Sequence, residues 1–418
     1  MIPSKPQFVG KKIRLEELLQ DTFAGEWGTE TGENLTPVLR TSNFREDGSF
    51  NYDAPAMRCI PEKKVAKKRM LRGDIILEKS GGTPKRPVGI MAFYDSDDLA
   101  LCSNFNQVLR FDESKIQPRF AFYQLRWLKE HNAFERYTRK TTGLQNLQIK
   151  KFIEHDIWVP TEEVQSRIVA LLDAISNNQT QLNQQIHRFD SLVKSRFVEM
   201  FGTLDSNPFS LPVKKMGEVA EQLIAGGDKP TDITVQKDKN HVYPVYANGV
   251  IDGGIQGYSS KARVNKPAVT IAARGTIGFC CIRDAGFTPV VRLISMVPDS
   301  SLDLTYLKYY IDSLNLAGSG TSQAQLTVPD FRMKPILIPK ISDQHKFAAL
   351  VAQVDKSRFA GVKIGTLSVK NYAENCAVHN KCGCIPGKAL YGAKEVTEYT
   401  LLKLQELYDS LTRKYFAL

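Results

Sequence analysis

Apolar positions along this chain change rhythm twice, and in the same way each time. Up to about residue 160 the apolar runs are short. Ile75-Ile76-Leu77 and Val88-Gly89-Ile90-Met91-Ala92-Phe93 sit between Gly and Pro, as strands between turns do. Phe120, Tyr123, Trp127 and Leu128 fall at helical spacing and predict one helix from Pro118 to about Arg139. From 162 to about 200 there is no Gly and no Pro, and Val164, Ile168, Leu171, Ile175, Leu182, Ile186, Phe189, Val193 and Phe197 recur mostly at steps of three, four or seven. That spacing predicts one long helix with a coiled-coil seam. Thr161, followed by Glu162 and Glu163, supplies a start with carboxylates at the positive end of the helix dipole. About 39 residues at 1.5 Å each span roughly 58 Å, and so long a stripe needs a partner.

From 206 to about 340 the first rhythm returns. Pro244-Val245-Tyr246-Ala247-Asn248-Gly249 and Val269-Thr270-Ile271-Ala272 read as strands with turns, and Tyr306, Leu307, Tyr310 and Ile311 mark a helix from Thr305 to about Leu316. The junctions repeat residue by residue. Leu147 matches Leu326, Phe152 matches Phe331, Pro160 matches Pro339 and Gln165 matches Gln344, all 179 residues apart. Further on, Phe189-Asp190-Ser191-Leu192 matches Tyr408-Asp409-Ser410-Leu411, now 219 residues apart. The second long helix therefore carries an insertion of about 40 residues, between about Ala360 and Lys403, that contains Gly361, Gly365, Gly383, Pro386, Gly387 and Gly392. A period this long means a duplicated domain plus helix, not a solenoid unit.

A length of 418 residues implies two to four domains, and 42% hydrophobic with 24% charged residues describes a soluble globular protein. The formal net charge of +11 favours a polyanionic partner, nucleic acid first, over a basic protein with no anionic ligand. No apolar run follows a basic segment near the first residue, and no stretch is long enough to span a membrane. The seven cysteines do not form a disulfide framework, so the expected compartment is a reducing cytoplasm. Cys376, His379, Cys382 and Cys384 in the insertion carry the ligand types of a zinc site at cramped spacing; free thiols on a loop are the expected reading, with no metal assigned.

The ordered set of motifs resembles the DNA specificity subunit of type I restriction-modification systems. The turns Thr142-Gly143-Leu144-Gln145 and Gly320-Thr321-Ser322-Gln323-Ala324 carry the likeness. So do the β segments Ile157-Trp158-Val159-Pro160 and Ile336-Leu337-Ile338-Pro339, and the helix openings Glu163–Ile168 and Asp343–Phe347. Leu39–Asn43, Arg72–Leu77, Pro244–Gly249 and Arg274–Gly278 resemble the family's recognition domains. The resemblance covers nearly the whole chain except about 361–402. It implies a mixed α+β fold: two globular α/β target recognition domains separated by two long antiparallel coiled-coil helices, with a pseudo-two-fold internal repeat. Recognition domain 1 is expected at 1–160, spacer helix 1 at 161–203, recognition domain 2 at 204–340 and the interrupted spacer helix 2 at 341–418.

The implied function is non-catalytic reading of a bipartite target on double-stranded DNA. Readers held roughly 58 Å apart would contact half-sites more than one 34 Å turn of DNA apart. The implied partners are two methyltransferase subunits and two restriction-translocase subunits. S-adenosylmethionine, ATP and Mg²⁺ would belong to them and not to this chain. Within the readers, Arg and Lys pair with guanine, and Asn and Gln with adenine. That selects Arg40, Asn43, Lys79, Lys85 and Arg86 in the first domain and Asn248, Lys261, Arg263 and Arg274 in the second. Thr142 and Gln145 in one turn, and Thr321, Ser322 and Gln323 in the other, are candidate phosphate contacts. For helix pairing, Ile168, Ile175, Leu182, Ile186 and Phe189 are expected to pack against Leu350, Val354, Leu404, Tyr408 and Leu411.

Two other readings stay in view. One is a coiled-coil adaptor that organises proteins without sequence-specific DNA binding. The other is a nuclease built on Asp98, Glu113 and Lys115, three common residue types at loose spacing. The chain shows no P-loop and no Gly-x-Ser-x-Gly elbow.

Overall fold

The computed structural model describes residues 10–357 apart from 85, 142–143, 315 and 317–324, together with Gln405 and Asp409. Contacts divide the chain into two units, with the boundary between Asn183 and Gln184.

In the first unit the strands are β1 (Gly10–Arg14), β2 (Leu19–Ala24), β3 (Leu35–Leu39), β4 (Ala56–Cys59), β5 (Ile75–Glu78) and β6 (Ser80–Gly82). They continue with β7 (Met91–Phe93), β8 (Leu101–Cys102), β9 (Asn106–Phe111), β10 (Thr138–Thr141), β11 (Leu144–Leu147) and β12 (Asp156–Pro160). The helices are α1 (Leu15–Leu18), α2 (Glu62–Lys68), α3 (Pro118–Glu130), α4 (Ile149–Phe152) and the first part of α5 (Glu162–Phe201), whose residues from Gln184 on belong to the second unit. An antiparallel sheet of order β2-β9-β5-β7 forms the centre. Successive side chains of β5 face opposite ways, and both faces are covered, so Ile75, Ile76, Leu77 and Glu78 are all buried. Ile75 and Leu77 join Phe120, Tyr123, Trp158, Ile168 and Ile175 in one cluster, while Ile76 joins Leu39, Phe50, Tyr94 and Cys102 in another. A second sheet, β4-β3-β8, contains the parallel pair β3·β8. Strands β1 and β12 pair antiparallel, and β10-β11-β6 make a small third sheet.

The second unit repeats this plan. Its strands are β13 (Val213–Lys215), β14 (Ala220–Ala225), β15 (Tyr243–Tyr246), β16 (Ile255–Ser259), β17 (Ala268–Ile271), β18 (Cys280–Arg283), β19 (Thr288–Pro289), β20 (Ile294–Pro298) and β21 (Pro335–Leu337). Sheet β14-β20-β17-β18 corresponds to the central sheet, β16-β15-β19 with its parallel pair to β4-β3-β8, and β13·β21 to β1·β12. Its helices are α6 (Leu304–Ser313), α7 (Val328–Arg332) and α8 (341–357).

The long helix α5 is continuous over 40 residues. Ile168, Leu171, Leu172, Ile175 and Leu182 belong to the first unit's core, and Val193, Phe197 and Phe201 to the second's. There Phe197 lies 5.6 Å from Tyr306 and 5.3 Å from Phe347 of α8, centroid to centroid. Burying aromatic rings of this size is worth about 1.5–3 kcal/mol each.

One detail differs from the sequence reading. Helix α3 ends at Glu130, well short of Arg139, because Asn132 turns into the left-handed region at φ +59 and 138–141 are drawn into β10. The start of the expected helix-to-helix seam also takes part in the globular core. Ile168 and Ile175 belong to the globular core that also holds α3, where Arg119 reaches Asp173 at 2.9 Å. Leu350 and Val354 of α8 pack in the second unit's core, as does the half-buried Phe189; Ile186 is half-buried, and Leu404, Tyr408 and Leu411 lie outside the described residues.

A buried glutamine ties each unit to the helix that follows it, α5 in the first and α8 in the second. Gln165 Nε2 donates to the Pro160 carbonyl at 2.9 Å, and its Oε1 accepts at 2.8 Å from the N–H of Gln117, the residue capping α3. Gln344 Nε2 donates to Pro339 at 2.9 Å, and its Oε1 accepts at 2.8 Å from the N–H of Asp303, the residue capping α6. A second matched pair is Ala24-Gly25 and Ala225-Gly226. A Cβ on Gly25 would sit 2.2 Å from the Cys102 carbonyl oxygen, and one on Gly226 would sit 2.6 Å from the Val290 nitrogen. Only glycine lets the end of the central sheet come this close to the turn after the parallel strand.

Candidate nucleic-acid interface

In the first unit, β4 runs into α2, whose sequence Glu62-Lys63-Lys64-Val65-Ala66-Lys67-Lys68 holds four lysines in seven residues. Lys63, Lys64 and Lys67 are exposed. Lys68 Nζ donates to the Gly25 carbonyl at 3.3 Å and to Glu26 at 3.1 Å, which fixes α2 beside the turn Ser103–Asn106. Beyond that turn the backbone N–H of Lys79 donates to the Phe105 carbonyl at 2.9 Å, and that of Ser80 does so at 3.2 Å. β6 follows, with Gly81 at φ +100, and it pairs with β11. β11 in turn pairs with β10, whose Arg139 and Lys140 are exposed. Contacts thus run unbroken from α2 through the turn to β10, and they gather cations from three separate parts of the sequence: α2, Lys79 and β10.

Two carboxylates beside this band, Glu78 and Glu26, are paired with cations. Glu78 is buried, and Arg86 Nη2 donates to its Oε1 at 2.7 Å. Burial pushes the Glu78 carboxyl up while the Arg86 charge opposes the shift. Glu26 is bracketed by Lys64 at 3.3 Å and Lys68 at 3.1 Å. Burial holds the Lys79 ammonium below its ordinary value.

Of the residues chosen from sequence, Arg40 and Arg86 are exposed and Lys79 is half-buried. Asn43 is buried, and its amide is spent on the backbone. Oδ1 accepts from Arg40 N–H at 2.9 Å, and Nδ2 donates to Asn51 and Ala54 carbonyls at 3.2 Å. It shapes the loop and leaves no atom for a base, which corrects the expectation. Gln145 is also buried, with Oε1 3.4 Å from Val88 N–H, so its side chain faces the interior and not a phosphate. Lys85, Thr142, Thr321, Ser322 and Gln323 lie outside the described residues.

In the second unit Lys261 and Arg263 are exposed and follow β16 as the α2 lysines follow β4. Asn248 is a brace like Asn43: Nδ2 donates to the Val291 carbonyl at 2.6 Å and Oδ1 accepts from Ala273 N–H at 2.8 Å. Arg274 is exposed, with Nη2 2.6 Å from Gln325 Oε1. The carbonyl that Asn248 holds belongs to a strained turn. Val291 and Arg292 have φ of +51° and +61°, and both are exposed. A β-branched residue in that region costs about 1–3 kcal/mol, a strain found at sites where geometry matters more than stability.

Sequence reasoning missed Lys63, Lys64, Lys67, Arg139, Lys140 and Arg292. The four lysines in seven residues were a usable signal; the left-handed backbone at Arg292 left no trace in residue type. The nuclease trio is not supported. Lys115 is tied to Asp112 at 3.3 Å and to the Glu17 carbonyl at 2.9 Å, and Asp98 is bonded to Ser96 at 2.9 Å. Cys59, Cys102, Cys280 and Cys281 are free thiols. Cys376, His379, Cys382 and Cys384 lie outside the described residues. Among the described residues no helix is long and apolar enough to cross a membrane.

Comparison with known proteins matches the family model "Type I restriction modification DNA specificity domain" twice, at residues 35–188 and 211–368. A type I specificity subunit of Mycoplasma pneumoniae is 25% identical over 274 residues, covering 62% of this chain and 79% of the relative. Another from the same organism is 26% identical over 203 residues, covering 49% of this chain and 56% of that one. In fold, the chain is similar to the crystal structure of a type I restriction-modification S subunit from M. genitalium. The TM-score is 0.60 at 16% identity, covering 99% of this chain and 97% of that one.

Proposed function

The chain belongs to the type I restriction-modification DNA specificity family, and on that premise we propose that it reads a bipartite target on double-stranded DNA, one half-site per unit, and directs its partners to it. The carrying observation is the matched construction of the two units. Each places a basic segment at the end of the same strand, Lys63–Lys68 after β4 and Lys261–Arg263 after β16. Each also sets that segment beside the same glycine-backed turn. Two readers of one design suit a target in two parts.

The two readers are joined, in this reading, by antiparallel pairing of α5 with a second long helix that begins as α8. The order of contacts supports it. Phe347 meets Phe197, early in the second helix and late in the first. Gln405 accepts from Gln179 Nε2 at 3.4 Å, late in the second and midway along the first. The chain itself is proposed to be non-catalytic. Two methyltransferase and two restriction-translocase subunits would bind its repeated surfaces in the cytoplasm, and any S-adenosylmethionine, ATP or Mg²⁺ chemistry would be theirs.

The test is duplex binding by the full-length chain, alone and with its methyltransferase, titrated from 50 to 200 mM salt. The expected result is affinity that falls by orders of magnitude with salt and a residual preference for one sequence. Binding of the methyltransferase without any DNA binding would favour the adaptor reading instead.

A further inference from the structure

We propose that Phe105 and Arg292 are the base-reading tips of the two units, one occupying in the first the position the other occupies in the second. The inference rests on the DNA-recognition reading and adds specific residues to it.

Hydrogen bonds establish the equivalence. Ser103 N–H donates to the Leu39 carbonyl at 2.9 Å, and Val290 N–H donates to Tyr246 at 2.8 Å, each across the parallel pair. Gly25 N–H donates to Asn106 at 3.1 Å, and Gly226 N–H donates to Leu293 at 2.8 Å. Between these fixed ends Phe105 and Arg292 fall at the same step of the turn. The two turns share no sequence motif, Cys102-Ser103-Asn104-Phe105-Asn106 in one and Pro289-Val290-Val291-Arg292-Leu293 in the other.

Exposure of one phenylalanine is ordinary. Here the backbone under it is pinned while the ring is left out. Phe105 is 54% exposed, yet its carbonyl accepts from Lys79 and Ser80 N–H. Asn106 N–H donates to Ser103 at 2.9 Å, and the buried Asn106 Oδ1 accepts from Thr41 Oγ1 at 2.9 Å. The Gly81 side-chain position lies 3.9 Å from Phe105 Cδ1, so no neighbouring side chain covers the ring there. Exposed cations lie on the elements joined to this turn, α2 through Lys68 and Gly25, and β10 with Arg139 and Lys140 through β6 and β11. Cations that engage phosphates from these elements bring the ring to the groove. An aromatic face gains nothing from an anion, but it gains from thymine methyl groups and base edges.

The second tip has the complementary chemistry. Arg292 is exposed, makes no side-chain hydrogen bond or ion pair among the described residues, and is held on a strained backbone. A free guanidinium on a rigid support is suited to pair bidentately with guanine. The same scaffold carries two tips of different chemistry, which is what two readers of different half-sites require.

The experiment is selection of bound duplexes from a random-sequence pool by the full-length chain with its methyltransferase, for the unaltered chain, Phe105→Ala, Phe105→Leu and Arg292→Ala. Phe105→Ala is expected to relax one or two adjacent positions of one half-site, cutting discrimination there about tenfold, with the other half-site unchanged. Phe105→Leu should retain part of it. Arg292→Ala should relax a guanine in the opposite half-site. Unchanged motifs, or equal loss in both halves from a single variant, would overturn the inference. An unaltered chain that selects no motif would instead sink the DNA-recognition reading beneath it.

Discussion

Gln165 and Gln344, 179 residues apart, make the same pair of hydrogen bonds: each donates to a proline carbonyl five residues back and accepts from the N–H that opens its unit's globular helix. Each is a buried amide at the start of a helix, α5 or α8, and it sets where that helix leaves its unit. Replacing either by Ala strands a buried N–H and a buried carbonyl. Each variant should lose about 1–3 kcal/mol in denaturant unfolding. Similar losses from both would show that the two bonds do the same task, and losses near zero would show that they do not.

Gly25→Ala and Gly226→Ala should each destabilise by more than a surface change does, because a methyl group meets backbone and not a yielding side-chain end. Gly275→Ala is the control. It has open space around the added atom, and only its φ of +71 opposes the change. The expected order in thermal unfolding puts both matched glycines well below Gly275.

Lys63→Ala, Lys64→Ala and Lys67→Ala should weaken duplex binding about equally for all sequences. Each lysine that contacts a phosphate should lower the slope of log affinity against log salt by roughly 0.9. A loss confined to one sequence would mean that these side chains read bases.

His155 gives a pH prediction. Burial, then the neighbouring Arg136 charge and the smaller contribution of Lys12, hold its imidazole below the ordinary 6.5, against the opposing charge of Asp156. Its Nδ1 lies 3.0 Å from the Tyr137 hydroxyl. Both folded and unfolded forms are neutral above 6.5. Below it the unfolded chain takes the proton first, so stability falls as pH drops through the folded value. Thermal unfolding from pH 7.5 to 5 should show this decline, and His155→Gln should flatten part of it.

The sequence told most where a local pattern carries the structure. The unbroken apolar stripe of α5 needs only its own spacing, and the Leu147–Gln165 motif recurs because the same junction must be built twice. Ala24-Gly25 and Ala225-Gly226 went unseen because a dipeptide is too short to stand out, and their meaning lies in a carbonyl some 80 residues away for Gly25. By residue type Asn43 and Asn248 are candidate base readers, but amides also serve as braces for bent backbone, and only their partners reveal which. The spacing of Ile168 and Ile175 does not by itself show that they join the globular core, because a stripe has the same period whether it faces a helix or a sheet-backed core.

The central claim is that two units each read one part of a divided target. Methylation mapping of DNA from cells expressing this chain with its methyltransferase tests it most directly. The account predicts a motif in two parts separated by unspecified bases, with changes in residues 10–160 altering one part and changes in 211–340 the other. A single undivided motif, or one in which either set of changes alters the whole, would contradict it.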